Sequence, residues 1–209
     1  CTNTLANIMK KLLILIFILK LSFLNSQTDK KKESFKTEFD SILHKRIYQV
    51  EYSSIHTLEL IEFKEGNYKG RLINVLTRYG RKTKDFVQKI TIPELLTEKL
   101  MNDFKTLNIE TLKGCENLFS LENDCVGALD GDGTNIIILT DKINRKLNFE
   151  AIYPGGKENK DFPEKQITAQ KILNLVYEKI DFKKLLHQYM KHLPSGTYGY
   201  YGVNMIKLR

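Results

Sequence analysis

The sequence predicts an α+β domain: an antiparallel sheet of about six to seven strands with two to three helices packed on one face. Three observations predict it. Between residues 47 and 92 apolar and polar residues alternate with the period of a strand, and short turn-forming strings separate the segments. The spacing becomes helical over 91–107, returns to alternation over 146–153, and is helical again from Glu164. Strands joined by connections this short run antiparallel, which leaves the helices to gather on one face of the sheet.

Each element follows from its own residues. Tyr48, Val50 and Tyr52 oppose Gln49 and Glu51 in a first strand over 47–52, and a second spans 57–63. Lys64, Glu65, Gly66 and Asn67 then form a hairpin turn into a third strand, 68–79. Phe86, Gln88, Ile90 and Ile92 share one side of a fourth. Thr91 reads as a helix N-cap with Pro93 in the first turn and Glu94 as its capping-box partner, followed by Leu96, Leu100, Phe104 and Leu107. Strand-like segments at 126–129 and 135–140 flank the turn string 130–133. The next strand, 146–153, places Leu147, Phe149, Ala151 and Tyr153 together. After the loop 154–163, Ala169, Ile172, Leu173, Val176 and Ile180 mark a helix. Asp181 caps its successor, which carries Phe182, Leu185, Leu186, Tyr189 and Leu193 and stops at Pro194. The tail 196–209 mixes glycines with aromatics and reads as an edge strand.

The first residues read as an export signal. Residues 1–8 form an upstream segment, Met9 the start, Lys10 and Lys11 a basic region, and 12–19 an apolar run, with Ser26 a small residue for cleavage. Lys20 interrupts the run short of the roughly 20 apolar residues that span a membrane, so no transmembrane anchor is expected after cleavage. The expected organisation is a signal peptide at 9–26, a lysine-rich tether at 27–40 and a single domain at 41–209. Losing Lys10, Lys11 and Lys20 and no acid lowers the net charge from +8 to +5. That modest excess suits an envelope protein or an anionic glycan as partner and argues against nucleic acid. Export to the periplasm or beyond places Cys115 and Cys125 in an oxidising compartment, where they are expected to pair. So short a closed loop stabilises by roughly 2 to 3 kcal/mol.

Three strings, TIPELL at 91–96, DCVGALDG at 124–131 and YPGG at 153–156, sit in hairpin, helix and strand order. In that arrangement the chain resembles small exported bacterial domains of unknown function, over Tyr48 to Ile180. The resemblance implies the fold class and carries no activity.

The candidate chemistry is sparse. In Asp130-Gly131-Asp132-Gly133-Thr134-Asn135 oxygen ligands alternate with glycines as at the start of a calcium loop, but no register supplies both the glycine at position 6 and the glutamate at position 12, so the string is read as a turn. His187 and His192 are five apart and do not share a helix face, His44 and His56 stand alone, and no metal or cofactor is expected. Ser195 lacks the nucleophile-elbow context. The strongest candidate is an anion-binding patch on the third strand and the loop after it: Arg71, Arg78, Tyr79, Arg81, Lys82 and Lys84. The tail tyrosines Tyr198, Tyr200 and Tyr201 offer a contact surface or a cover for the sheet edge. Two function classes follow. One is a non-enzymatic exported binding or envelope-interaction domain, preferred because no nucleophile, base and metal set is assembled in the sequence. The alternative is a hydrolase whose carboxylates, Asp130, Asp132 and Glu150, converge only in three dimensions.

Overall fold

Gly66 takes φ +90, and Phe63 N–H donates to the Asn67 carbonyl (3.0 Å), closing the turn between β2 (His56–Phe63) and β3 (Tyr68–Tyr79). Around this hairpin the described residues build an eight-stranded antiparallel sheet. The computed structural model describes residues 36–115, 125–127, 133–199 and 204–209; the expected signal peptide, most of the tether, Asp130, Asp132, Tyr200 and Tyr201 lie outside them. Glu38–Arg209 form one compact unit.

In order across the sheet, β6 (Asn144–Phe149), β5 (Thr134–Thr140), β1 (His44–Tyr52), β2 and β3 pair in succession, and β4 (Lys84–Ile92) lines the other edge of β3. The chain returns at its end as a hairpin, β7 (Gly196–Gly199) and β8 (Met205–Leu208), so the tail supplies two strands where one is expected. β7 pairs with β3 at Arg78 and Tyr79, beyond the point where β2 ends opposite Asn74.

Among the described residues three α-helices, α1 (Glu94–Thr106), α2 (Glu164–Lys179) and α3 (Phe182–Met190), pack on one face. A large cluster joins Tyr48, Val50, Leu58, Leu60, Leu72, Ile136 and Ile138 of the sheet to Leu100, Met101 and Phe104 of α1 and Ile172, Leu173 and Val176 of α2. A smaller one gathers Leu76, Leu186, Met190, Tyr198 and Ile55. Between them a polar row crosses the same face: His56 Nδ1 lies 2.7 Å from Asn74 Oδ1, and Asn74 Nδ2 donates to Gln88 Oε1 (2.8 Å). On the opposite face Ile47, Ile61 and Ile73 are buried as well. There the register lines up Gln49, Glu59 and Arg71, and the fully buried Glu59 carboxylate accepts from Gln49 (2.9 Å) and Arg71 (2.7 Å).

Several elements differ from expectation, each through a competing hydrogen bond. Thr91 stays in β4; α1 begins at Glu94 behind Pro93, and the Glu94 carboxylate accepts from Tyr68 N–H (2.9 Å) instead of closing a capping box. Asp181 does cap α3, accepting from Lys184 N–H (2.9 Å). Val126 and Gly127 form no strand, because both backbone polar groups of Val126 bond the Gln166 side chain (3.0 and 2.9 Å). The strand expected over 146–153 ends at Phe149. Gln166 also donates to the Glu150 carbonyl (2.7 Å), Ala151 turns to φ +56, and Ile152 is buried while Tyr153 turns outward, 57% exposed.

One turn further along α2, Gln170 bonds Tyr153 N–H (3.3 Å) and its carbonyl (2.8 Å). One more turn on, Asn174 accepts from Gly155 N–H (3.1 Å) and donates to the Gly156 carbonyl (2.9 Å). Gln166, Gln170 and Asn174 thus form an amide ladder at i, i+4 and i+8 that holds the segment 150–156 against α2. This satisfies backbone groups that have left the sheet.

Candidate functional site

The tip of the β3–β4 hairpin concentrates unpaired charge. Arg78 and Lys84 are cross-strand neighbours, and Arg81 and Lys82 occupy the exposed turn beyond them. Among the described residues none of these four forms an ion pair with an acid, although Lys84 Nζ sits 5.1 Å from the centre of the Phe86 ring. Asp85, the acid nearest in sequence, accepts from Thr77 Oγ1 (2.8 Å).

The C-terminal hairpin holds the tip in place. A Cβ added at Gly196 would lie 2.4 Å from Arg78 Nε, and one at Gly199 would lie 3.2 Å from Tyr79 Cε2. Both side chains therefore rest on bare glycine backbone of β7, and Tyr79 keeps 46% of its surface open to solvent. Along the register Tyr79 faces Thr197, which faces Lys207, adding another cation to the aromatic side of the tip. Strand alternation places Tyr79 and Lys207 on one face of the tip and Arg78 and Lys84 on the other, with Arg81 and Lys82 in the turn beyond both; an exposed ring stacks on a sugar face while such charges attract acidic substituents.

Arg71 is not part of this group. It lies seven residues back along β3, about 23 Å at the usual strand rise, and is ion-paired with Glu59 (2.7 Å). Sequence reasoning missed Gly196, Gly199 and Lys207, whose contribution depends on β7 pairing with the end of β3. The glycine spacing in Gly196-Thr197-Tyr198-Gly199 was the available signal. Tyr198 covers the core, as the edge-cover reading requires: it is fully buried and donates through its hydroxyl to the Pro194 carbonyl (2.7 Å).

The buried and half-buried charges of β1, β2 and α1 neutralise one another. Glu62 is ion-paired with Lys45 (2.8 Å), Arg46 (2.9 Å) and Lys105 (3.0 Å), joining β1, β2 and α1. Burial opposes its charge, but the hydrogen bonds from the two lysines and the charge of Arg46 prevail and hold the carboxyl below its ordinary pKa. Glu110 accepts from both the Tyr48 hydroxyl and Arg46 (2.6 Å each), and burial raises the Tyr48 pKa. Burial also pushes His56 down to about 4 against its hydrogen bond to Asn74, while its ring stacks on Phe182 at 5.1 Å.

Cys115 and Cys125 form the expected disulfide, with Cα atoms 5.7 Å apart. Among the described residues no group of three or more His, Cys, Asp or Glu side chains is placed to hold a metal. Of the carboxylates considered for hydrolysis, only Glu150 lies among the described residues. No described helix is long and apolar enough to cross a membrane.

Known proteins offer no guide. Comparison with protein-family models, curated proteins and solved structures yields no match. The site's own geometry therefore carries the functional argument.

Proposed function

We propose that this is an exported, non-enzymatic binding domain that attaches to an anionic glycan through the tip of the β3–β4 hairpin. The observation that carries the reading is the division of charge. Lys45, Arg46, Lys105 and Arg71 are matched to Glu62, Glu110 and Glu59, while Arg78, Arg81, Lys82 and Lys84 share one hairpin tip with the half-open Tyr79 and have no acid matched to them among the described residues. Exposed cations add little to folding stability. Gathered on one hairpin tip they attract a polyanion at long range, and the ring of Tyr79 offers a stacking surface at contact. The basic and apolar leader at 9–26 and the Cys115–Cys125 bridge both favour an extracytoplasmic place of work.

Dextran sulfate and uncharged dextran of equal length test the site. The protein should bind the sulfated polymer, more weakly as salt rises. Replacing Arg81 and Lys82 by serine should weaken binding by about ten-fold, and Tyr79→Ala should weaken it without changing the salt slope. Equal binding of both polymers, or indifference to these substitutions, would refute the reading. In a secretion-competent host, the exported protein should begin at Gln27; a product retaining Met9 would remove the export half of the proposal.

A further inference from the structure

Away from the hairpin tip, a pocket of about 210 Å³ opens where the end of β1, the segment 150–156 and the two C-terminal helices meet. Its wall is formed by Tyr52, Tyr153, Pro154, Tyr177, Phe182 and Lys183. We propose that this pocket binds a monocyclic aromatic carboxylate, its ring among the aromatic side chains and its acid group on Lys183. The inference is independent of the glycan site.

Volume sets the size of the occupant. An apolar cavity of about 150 Å³ accepts one benzene ring, so this pocket has room for a single ring with a short substituent and little more. Composition sets its character. Four aromatic side chains and a proline offer ring faces and edges, which favour a planar aromatic over a sugar that would need several fixed polar partners. Among the described residues that line it, the exposed Lys183 is the one cation, and it selects an acid. The neighbouring Asp181 carboxylate is occupied in capping α3.

The walls are held in place before any ligand arrives. The Phe182 ring is stacked on buried His56 with an interplanar angle of 23°. Tyr177 packs against Gly155, where φ is +73 and an added Cβ would lie 3.1 Å from the ring. Gln170 and Asn174 clamp the backbone of Tyr153, Gly155 and Gly156 from α2. Left-handed Ala151 on one side (φ +56) and Ser53 and Ser54 on the other (φ +51 and +52) are conformations that persist only where surroundings enforce them. A pocket assembled in advance loses little ordering entropy on binding.

The test is a titration of the full chain with phenylacetate, benzyl alcohol and cyclohexylacetate, followed by NMR shifts of the tyrosine rings. Phenylacetate should bind saturably at or below about 10 mM, roughly ten-fold more tightly than the alcohol or the saturated acid. Lys183→Gln should reduce phenylacetate to the level of the alcohol. Tyr153→Ala, at an exposed position that leaves the core intact, should weaken it by about ten-fold. Absence of saturable shifts overturns the proposal. So does equal binding of the three compounds, or indifference to both substitutions. Arg81 and Lys82 variants should bind phenylacetate like the parent, which separates this result from the fate of the glycan site.

Discussion

Two buried positions make the fold sensitive to acid in a defined order. His56 has a folded pKa of about 4 against an ordinary 6.5, so the unfolded chain takes up the proton first. Stability is full above about pH 6.5, falls between 6.5 and 4, and loses no more from this group below that, a total of about 3 kcal/mol. Glu62 acts lower: its depressed pKa contributes stability above the ordinary 4.5 that is lost as pH falls through the folded value. Denaturant melts at pH 7 and pH 5 should differ in the parent and converge in His56→Gln. An unchanged difference would mean that His56 is not the titrating group. At Gly70 the limit is steric. A Cβ there would sit 2.3 Å from Thr97 Oγ1 and 2.9 Å from Ile92 Cβ, where α1 lies against β3. Gly70→Ala should cost about 1 to 3 kcal/mol, and adding Thr97→Ala should recover part of it. Equal losses in the single and double variants would place the strain elsewhere.

At the scale of elements, what was legible in the sequence was local. Alternation in Tyr48, Val50 and Tyr52 and the helical spacing of Leu96, Leu100 and Phe104 correspond to real strands and helices, because those side chains meet the core through their own element's period. The discrepancies lie where a distant side chain captures the backbone. Gln166 takes Val126 and Glu150 out of strands, and Glu94 answers to Tyr68 rather than to Thr91. No spacing rule announces such bonds, since they join residues 16 to 40 apart. The disulfide was legible from the expected export and the spacing of the two cysteines. It closes a separation of 10 residues, and in the chain-entropy account its reduction should lower stability by about 2 to 3 kcal/mol, roughly 5 to 10 °C in Tm. A melt unaffected by reductant would show the bridge to be energetically idle.

For the whole molecule, the buried carboxylates Glu59 and Glu62 are matched by cations, while the hairpin tip carries Arg78, Arg81, Lys82 and Lys84 with no acid matched to them among the described residues. The hairpin tip was readable as a run of cations, but its support was not, because Gly196 and Gly199 reach Arg78 and Tyr79 only after the last strand pair forms. The aromatic pocket was invisible for the same reason. Tyr52, Tyr153, Tyr177 and Phe182 are scattered over 131 positions of sequence and meet only in the folded chain.

The polar row of His56, Asn74 and Gln88 runs between the two apolar clusters, separating Leu58 and Leu72 from Leu76 and Phe86. Hydrogen bonds do not cohere as oil does, so this row is a perforation along which the molecule can tear. The outer storey, made of β7, β8 and the later turns of α3, should exchange its amide protons sooner than β1, β2 and α1. Mild acid, by charging the imidazole in that line, should widen the gap between the two rates. A molecule of two rooms can thus open the one beneath its hairpin tip while the other stays shut.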